Sequence, residues 1–230
     1  MAVDDSYTKA LLHMNGVNLE QTFTDESGKT WTARGSSYTD TSVKKFGTAS
    51  AYFDAVGDWI DTPDHADFDI GAGDFTIDCW IRPDGINQTA FICGQADASA
   101  TSRCVDIVIL PDESVSGRIY VGATEYTATL AAGSYADATW LHIALVRYGN
   151  TLKIYGNGVV GAVTDDVTGV TATNSATIFS VGRVGAYASN LYKGFVDEFR
   201  FSKGIARWTA NFEVPTAEYR PGGGLMLFSS

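Results

Sequence analysis

The 230-residue sequence contains no apolar run near the ~18 residues that cross a bilayer, which excludes a membrane-spanning helix. Cysteine is scarce. Cys79, Cys93 and Cys104 are odd in number and lack the CxxC spacing of zinc and redox sites, so they read as reduced core thiols, with a Cys93–Cys104 disulfide as the alternative. Histidine is limited to His13, His65 and His142, a thin supply for imidazole-based catalysis. Cations are outnumbered, with 16 Lys and Arg against 27 Asp and Glu, and the net charge of −11 repels phosphate backbones and anionic lipid. Nucleic acid is therefore not an expected partner, and neither is membrane insertion. The opening Met1 to Asp5 is acidic and lacks the basic and apolar regions of a signal peptide. Long helical periodicity is missing as well.

What remains is short runs rich in Val, Ile, Thr, Tyr, Phe and Trp, separated by Gly, Asn, Asp and Ser clusters. Strands are expected over 9–14, 30–34, 49–54, 59–62, 75–82, 89–94, 104–110, 118–121, 125–130, 140–148, 152–155, 159–163, 177–183 and 192–201. So many strands exceed what one open sheet holds, so the fold class is all-β, two antiparallel sheets packed as a sandwich. Asn157-Gly158 between two such runs predicts a two-residue hairpin. Apolar residues at both parities in Trp140 to Tyr148 predict a strand covered on both faces, with His142 hydrogen-bonded in or beside the core. Trp80, Trp140 and Trp208 read as core or cap residues. The segment 204–212 has room for one helical turn, which Pro215 then ends.

Several blocks resemble a known family. Ala10-Leu-Leu-His-Met-Asn-Gly16, Phe23-Thr-Asp-Glu-Ser-Gly28, Lys45 to Asp54, Gly73-Asp-Phe-Thr-Ile-Asp-Cys-Trp80, Trp140 to Arg147 and Gly194 to Trp208 are similar, in order, to laminin-G-like, concanavalin-A-like lectin/glucanase domains. The block running to Tyr219 is most similar to versions in bacteriophage tail and virion-surface proteins. The resemblance implies a jelly roll over 9–219, flanked by an N-terminal arm (1–8) and by a Gly-rich hinge with an apolar tail (220–230). Cys79 and Gly156 depart from the larger residues usual in the family.

In the last strand, regular alternation would put Asp197 on the apolar face with Phe195, Phe199 and Phe201, and Glu198 and Arg200 on the other. A carboxylate so placed needs a cation or several donors. Similar domains hold a structural calcium here, which implies a Ca2+ site of Asp197 with Asp25 and the Ser27 and Lys29 carbonyls, Asn15 and Asp54 being weaker candidates. The alternative is that Asp197 simply accepts backbone hydrogen bonds.

The paired carboxylates of the family's glucanases, in an arrangement like Glu-x-Asp-x-x-Glu, are absent, as are nucleophile-elbow, P-loop and zincin motifs, so no enzyme is expected. Sugar recognition asks for aromatics beside polar groups, and the loop residues Tyr187, Ser189, Asn190 and Tyr192, with Tyr120 and Tyr126, fit that need. The expected function is a non-catalytic module on a bacteriophage virion surface that binds host carbohydrate. The alternative is a decoration or assembly protein that contacts other virion proteins or further copies of itself.

Overall fold

The computed structural model describes residues 5–97, 102–186 and 189–219. The strands are β1 (Thr8–Leu12), β2 (Thr32–Arg34), β3 (Tyr38–Asp40), β4 (Ser50–Asp54), β5 (Trp59–Thr62), β6 (Phe75–Pro83), β7 (Ala90–Ala96) and β8 (Arg103–Ile109). They continue with β9 (Val115–Val121), β10 (Thr124–Leu130), β11 (Leu141–Tyr148), β12 (Thr151–Gly156), β13 (Val159–Val160), β14 (Asp165–Asp166), β15 (Phe179–Val181) and β16 (Lys193–Lys203). Every expected segment is a strand, with ends shifted by at most three residues. The turn expected over 204–212 is not helical, and no helix among the described residues is long and apolar enough to cross a membrane.

The strands form two antiparallel sheets, as expected. The larger runs β13-β12-β11-β6-β16-β4-β3, with β1 beside β16 and β14 beside β12; the smaller runs β10-β9-β8-β7-β15-β5-β2. Their inner faces meet in one core. Ile77, Cys79 and Ile81 of β6 and Ile143 and Leu145 of β11 lie in the same cluster as Ile92, Val105, Ile107 and Ile119 of the smaller sheet. Each such aliphatic side chain contributes roughly 1.5–3 kcal/mol by leaving water. All three cysteines are free and buried.

The double-sided apolar pattern of β11 has a direct cause. Residues 205–219 cross the outer face of the larger sheet as an irregular strap, whose Ala206, Trp208 and Phe212 pack on Ala144, Val146 and Tyr155. Trp208 stacks on Phe212 at 4.0 Å, and both meet His142 edge-on. His142 is fully buried, and its Nε2 lies 3.0 Å from the Tyr219 hydroxyl, a partner 77 residues away.

A β-bulge in β16 changes the alternation expected there. The register with β6 slips between Asp197 and Arg200, and Glu198 adopts φ +51°. Asp197 and Arg200 both stand opposite outward residues, Trp80 and Asp78, while Val196, Phe199 and Phe201 enter the core. The extra residue thus takes Asp197 off the apolar face assigned to it by simple parity.

Candidate functional site

The outer face of the smaller sheet carries its polar chemistry in rows set by the strand register. Arg118 stands beside Asp106, Asp106 beside Gly94, Gly94 beside Ser180 and Ser180 beside Asp61. A small apolar cluster, Phe91, Ala96, Val108 and Val184, lies between two charged groups. In one group, Arg118 donates to Asp106 at 2.7 Å and the Tyr120 hydroxyl to the same carboxylate at 3.0 Å. It is closed: Asp106 and Tyr120 are 1% and 3% exposed.

The second group is open. Pairing of β2 with β5 places Arg34 opposite Trp59 on the outer face, two residues from Asp61. Arg34 grips Asp61 with two hydrogen bonds, Nε at 2.8 Å and Nη2 at 3.0 Å, and the Trp59 indole donates to Asp61 at 2.8 Å. Arg183, from the turn after β15, lies over the Trp59 ring with its guanidinium carbon 4.1 Å from the ring centre. Trp59 is half-buried and the Arg34 side chain 47% exposed. The result is an indole with one guanidinium over its ring and a second beside it, Asp61 bracing the indole and Arg34 while Arg183 is held by the Gly185 carbonyl. Sequence reading passed over these residues; the available signal was the Trp-x-Asp alternation of β5, which puts an aromatic and an acid on one face.

The residues expected to bind ligand are placed otherwise. Tyr192 is fully buried, its hydroxyl donating to the Phe195 carbonyl at 3.2 Å, and Tyr120 belongs to the closed group. Tyr126 packs against the main core. Tyr120 and Tyr192 fill space against the sheets, while Tyr126 is half-buried. Ser189 is exposed, and Asn190 has φ +60° and accepts the Phe91 N–H at 2.8 Å through its carbonyl. Tyr187 lies outside the described residues, as do 98–101 and the tail from 220.

The carboxylates expected around calcium have protein partners from separate segments. The Asp25 carboxylate accepts from Leu11 N–H, Ser27 N–H and the Ser27 hydroxyl on Oδ1 and from the Trp31 indole on Oδ2. Lys29 puts its own ammonium into that loop, bound to Asp67 at 2.6 Å and to the Lys9 carbonyl. Asp197 is held by a different segment, the N–H groups of Lys45 and Phe46 on Oδ2, and its Oδ1 is buried without a partner. Burial pushes this carboxyl up to about 8 in spite of those two donors. Asn15 instead braces Glu218 and Thr48, and Asp54 caps the turn at Val56. Among the described residues, His13, Glu198 and Glu218 do bring three ligand-type atoms within 4.8 Å of one another. His13 and Glu198 already form a 2.8 Å pair there.

An open cavity of about 450 Å³ lies where loop 27–30 faces segment 62–67. Its charges largely answer one another: Lys29 holds Asp67, and Asp64 accepts from Gln95 at 2.8 Å. No Phe, Tyr or Trp lines it. The Trp59 group therefore has the better chemistry for recognition.

The sequence profile of the concanavalin A-like lectin/glucanases superfamily, in its laminin-G form, matches residues 54–207, and the chain belongs to that superfamily. No curated protein matches the sequence. Among solved structures, the binding domain of Paraclostridial Mosquitocidal Protein 1 superposes with a TM-score of 0.66 at 13% identity, over 86% of this chain and 49% of that one. Domain 4 of AbnA, a GH43 extracellular arabinanase from Geobacillus stearothermophilus solved with arabinotriose, gives 0.61 at 17% identity over 87% and 94% of the two chains. The botulinum neurotoxin serotype D ligand-binding domain, solved with N-acetylneuraminic acid, gives 0.63 at 13% over 89% and 49%. This chain spans about half the length of the toxin domains. At these identities the likeness shows the jelly-roll fold alone.

Proposed function

We propose that the protein is a non-catalytic carbohydrate-binding module of a bacteriophage virion surface, and that the Trp59 group is its glycan site. The supporting observation is the half-buried indole flanked by Arg34 and Arg183 and braced by Asp61. A sugar presents an apolar ring face and a hydroxyl edge, and this surface offers the exposed part of an indole next to charged donors. Asp61 is fully engaged by its three donors, which suits a structural brace and not a general acid. The arabinotriose complex adds support, because in that case a whole domain of similar length and fold was solved with a neutral oligosaccharide. The virion setting rests on the similarity of the block from Gly194 to Tyr219 to phage proteins.

A glycan array tests the reading. Host-surface polysaccharides should give discrete signals that Trp59→Ala removes while the thermal midpoint stays within a few degrees. A silent array together with a stable oligomer by light scattering would favour the assembly role instead. That second reading draws on a groove of about 340 Å³ beside the edge strand β13, where Val159 is 58% exposed.

A further inference from the structure

Arg183 is a cation that forms no ion pair among the described residues. The residue is only 9% exposed, and its position is fixed three ways. Nε donates to the Gly185 carbonyl at 2.7 Å, the guanidinium lies on Trp59, and the backbone carbonyl accepts the Ser180 hydroxyl at 3.1 Å. Its two terminal nitrogens donate to nothing among the described residues. The carboxylate beside it, Asp61, is already taken by Arg34 and the indole. The other paired guanidinium groups differ: Arg200 grips Asp78 with two bonds at 3.0 Å, and Arg118 holds Asp106.

Burial pulls the Arg183 pKa below the ordinary value, with Asp61 opposing that and the like charge of Arg34 adding to it. A largely desolvated cation beside a second cation is stabilised by an arriving anion. The fork of terminal N–H donors matches a planar, two-pronged acceptor, and its fixed position lowers the entropy lost on binding. Arg34 keeps its Nη1 outside the grip on Asp61 and supplies a further donor next to the indole. The molecule's overall charge of −11 opposes an acidic ligand only at long range. Screening over a Debye length of about 8 Å at physiological ionic strength leaves the short-range fork dominant.

The geometry points to Arg183 as the anchor for the carboxylate of an acidic sugar, a uronate or sialate, whose ring lies against the Trp59 and Arg34 edge. This deepens the glycan reading above and rests on it. Titration calorimetry against trigalacturonate and 3′-sialyllactose, each beside its uncharged counterpart (carboxyl-reduced trigalacturonate and lactose), separates the two. At least one acidic probe should bind tenfold or more tighter than its neutral partner, and Arg183→Gln should erase that gap. Neutral probes binding equally or better would overturn the acidic class and leave the glycan module standing. Binding to none of the probes, with a silent array, would overturn both. The comparison of acidic and neutral probes on the unaltered protein decides the class even if Arg183→Gln folds poorly.

Discussion

Asp197 shows how far one buried group can set the pH response of a fold. Its carboxyl moves from 3.8 up to about 8 because burial outweighs the two N–H donors on Oδ2, while Oδ1 has no partner. A raised folded-state pKa means that the protonated form fits the native site, so this stabilisation is complete below about pH 4 and is lost as pH rises through 8. Asp197→Asn, which mimics the protonated form, should therefore gain stability over the natural protein progressively between pH 4 and 8 in urea unfolding. A difference that stays constant with pH would contradict the assignment. Asp78, on the neighbouring strand, shifts the opposite way: burial raises it, but Arg200 and His142 outweigh burial and hold it below the usual carboxylate range. Comparing variant with parent removes that opposing background.

At the level of elements, the hairpin between β12 and β13 and the strap depend on each other. Asn157 and Gly158 both have positive φ, +46° and +78°, as a two-residue turn requires. A Cβ on Gly158 would also collide with the Phe212 carbonyl as the strap passes over. Gly158→Ala should cost about 2 kcal/mol or more in denaturant unfolding, beyond the roughly 1 kcal/mol of the left-handed backbone alone, and should also loosen Trp208 from Phe212, visible in tryptophan fluorescence. This turn was legible in the sequence because its chemistry is local, and so were the alternating strands. The bulge at Asp197–Arg200 was not legible, since nothing in Val-Asp-Glu-Phe announces an extra residue and Glu198 is a poor occupant of φ +51°. Strand β3 was missed because Tyr-Thr-Asp has no apolar alternation and is recruited by pairing with β4 and with Glu20. Gly156, odd in a strand when read by itself, is explained by Leu130, whose methyl group would sit 2.8 Å from an added Cβ.

For the whole molecule, the division into two layers was readable and the location of the binding chemistry was not. Trp59, Arg34, Asp61 and Arg183 come from three separate stretches of chain and are neighbours only through the pairings β2 with β5 and β5 with β15. The tyrosines chosen from loops had the right chemistry, but Tyr120 and Tyr192 are needed to fill space against the sheets. The metal expectation also meets its test at this scale. With Asp25 engaged by four protein donors, three of them on one oxygen, melting should be the same in calcium and in chelator. A midpoint several degrees higher in calcium, lost on Asp25→Asn, would restore the loop as an ion site.

Strand β16 lies inside the larger sheet, between β6 on one side and β4 with β1 on the other. It is also the last strand in the described chain. During synthesis the ribosome therefore releases a half-built layer with a slot at its middle, flanked by strand edges that have no partner until residue 203 has emerged. Closure of that slot joins residues nearly 200 positions apart, a topology for which slow folding and late exposure of unpaired edges are expected.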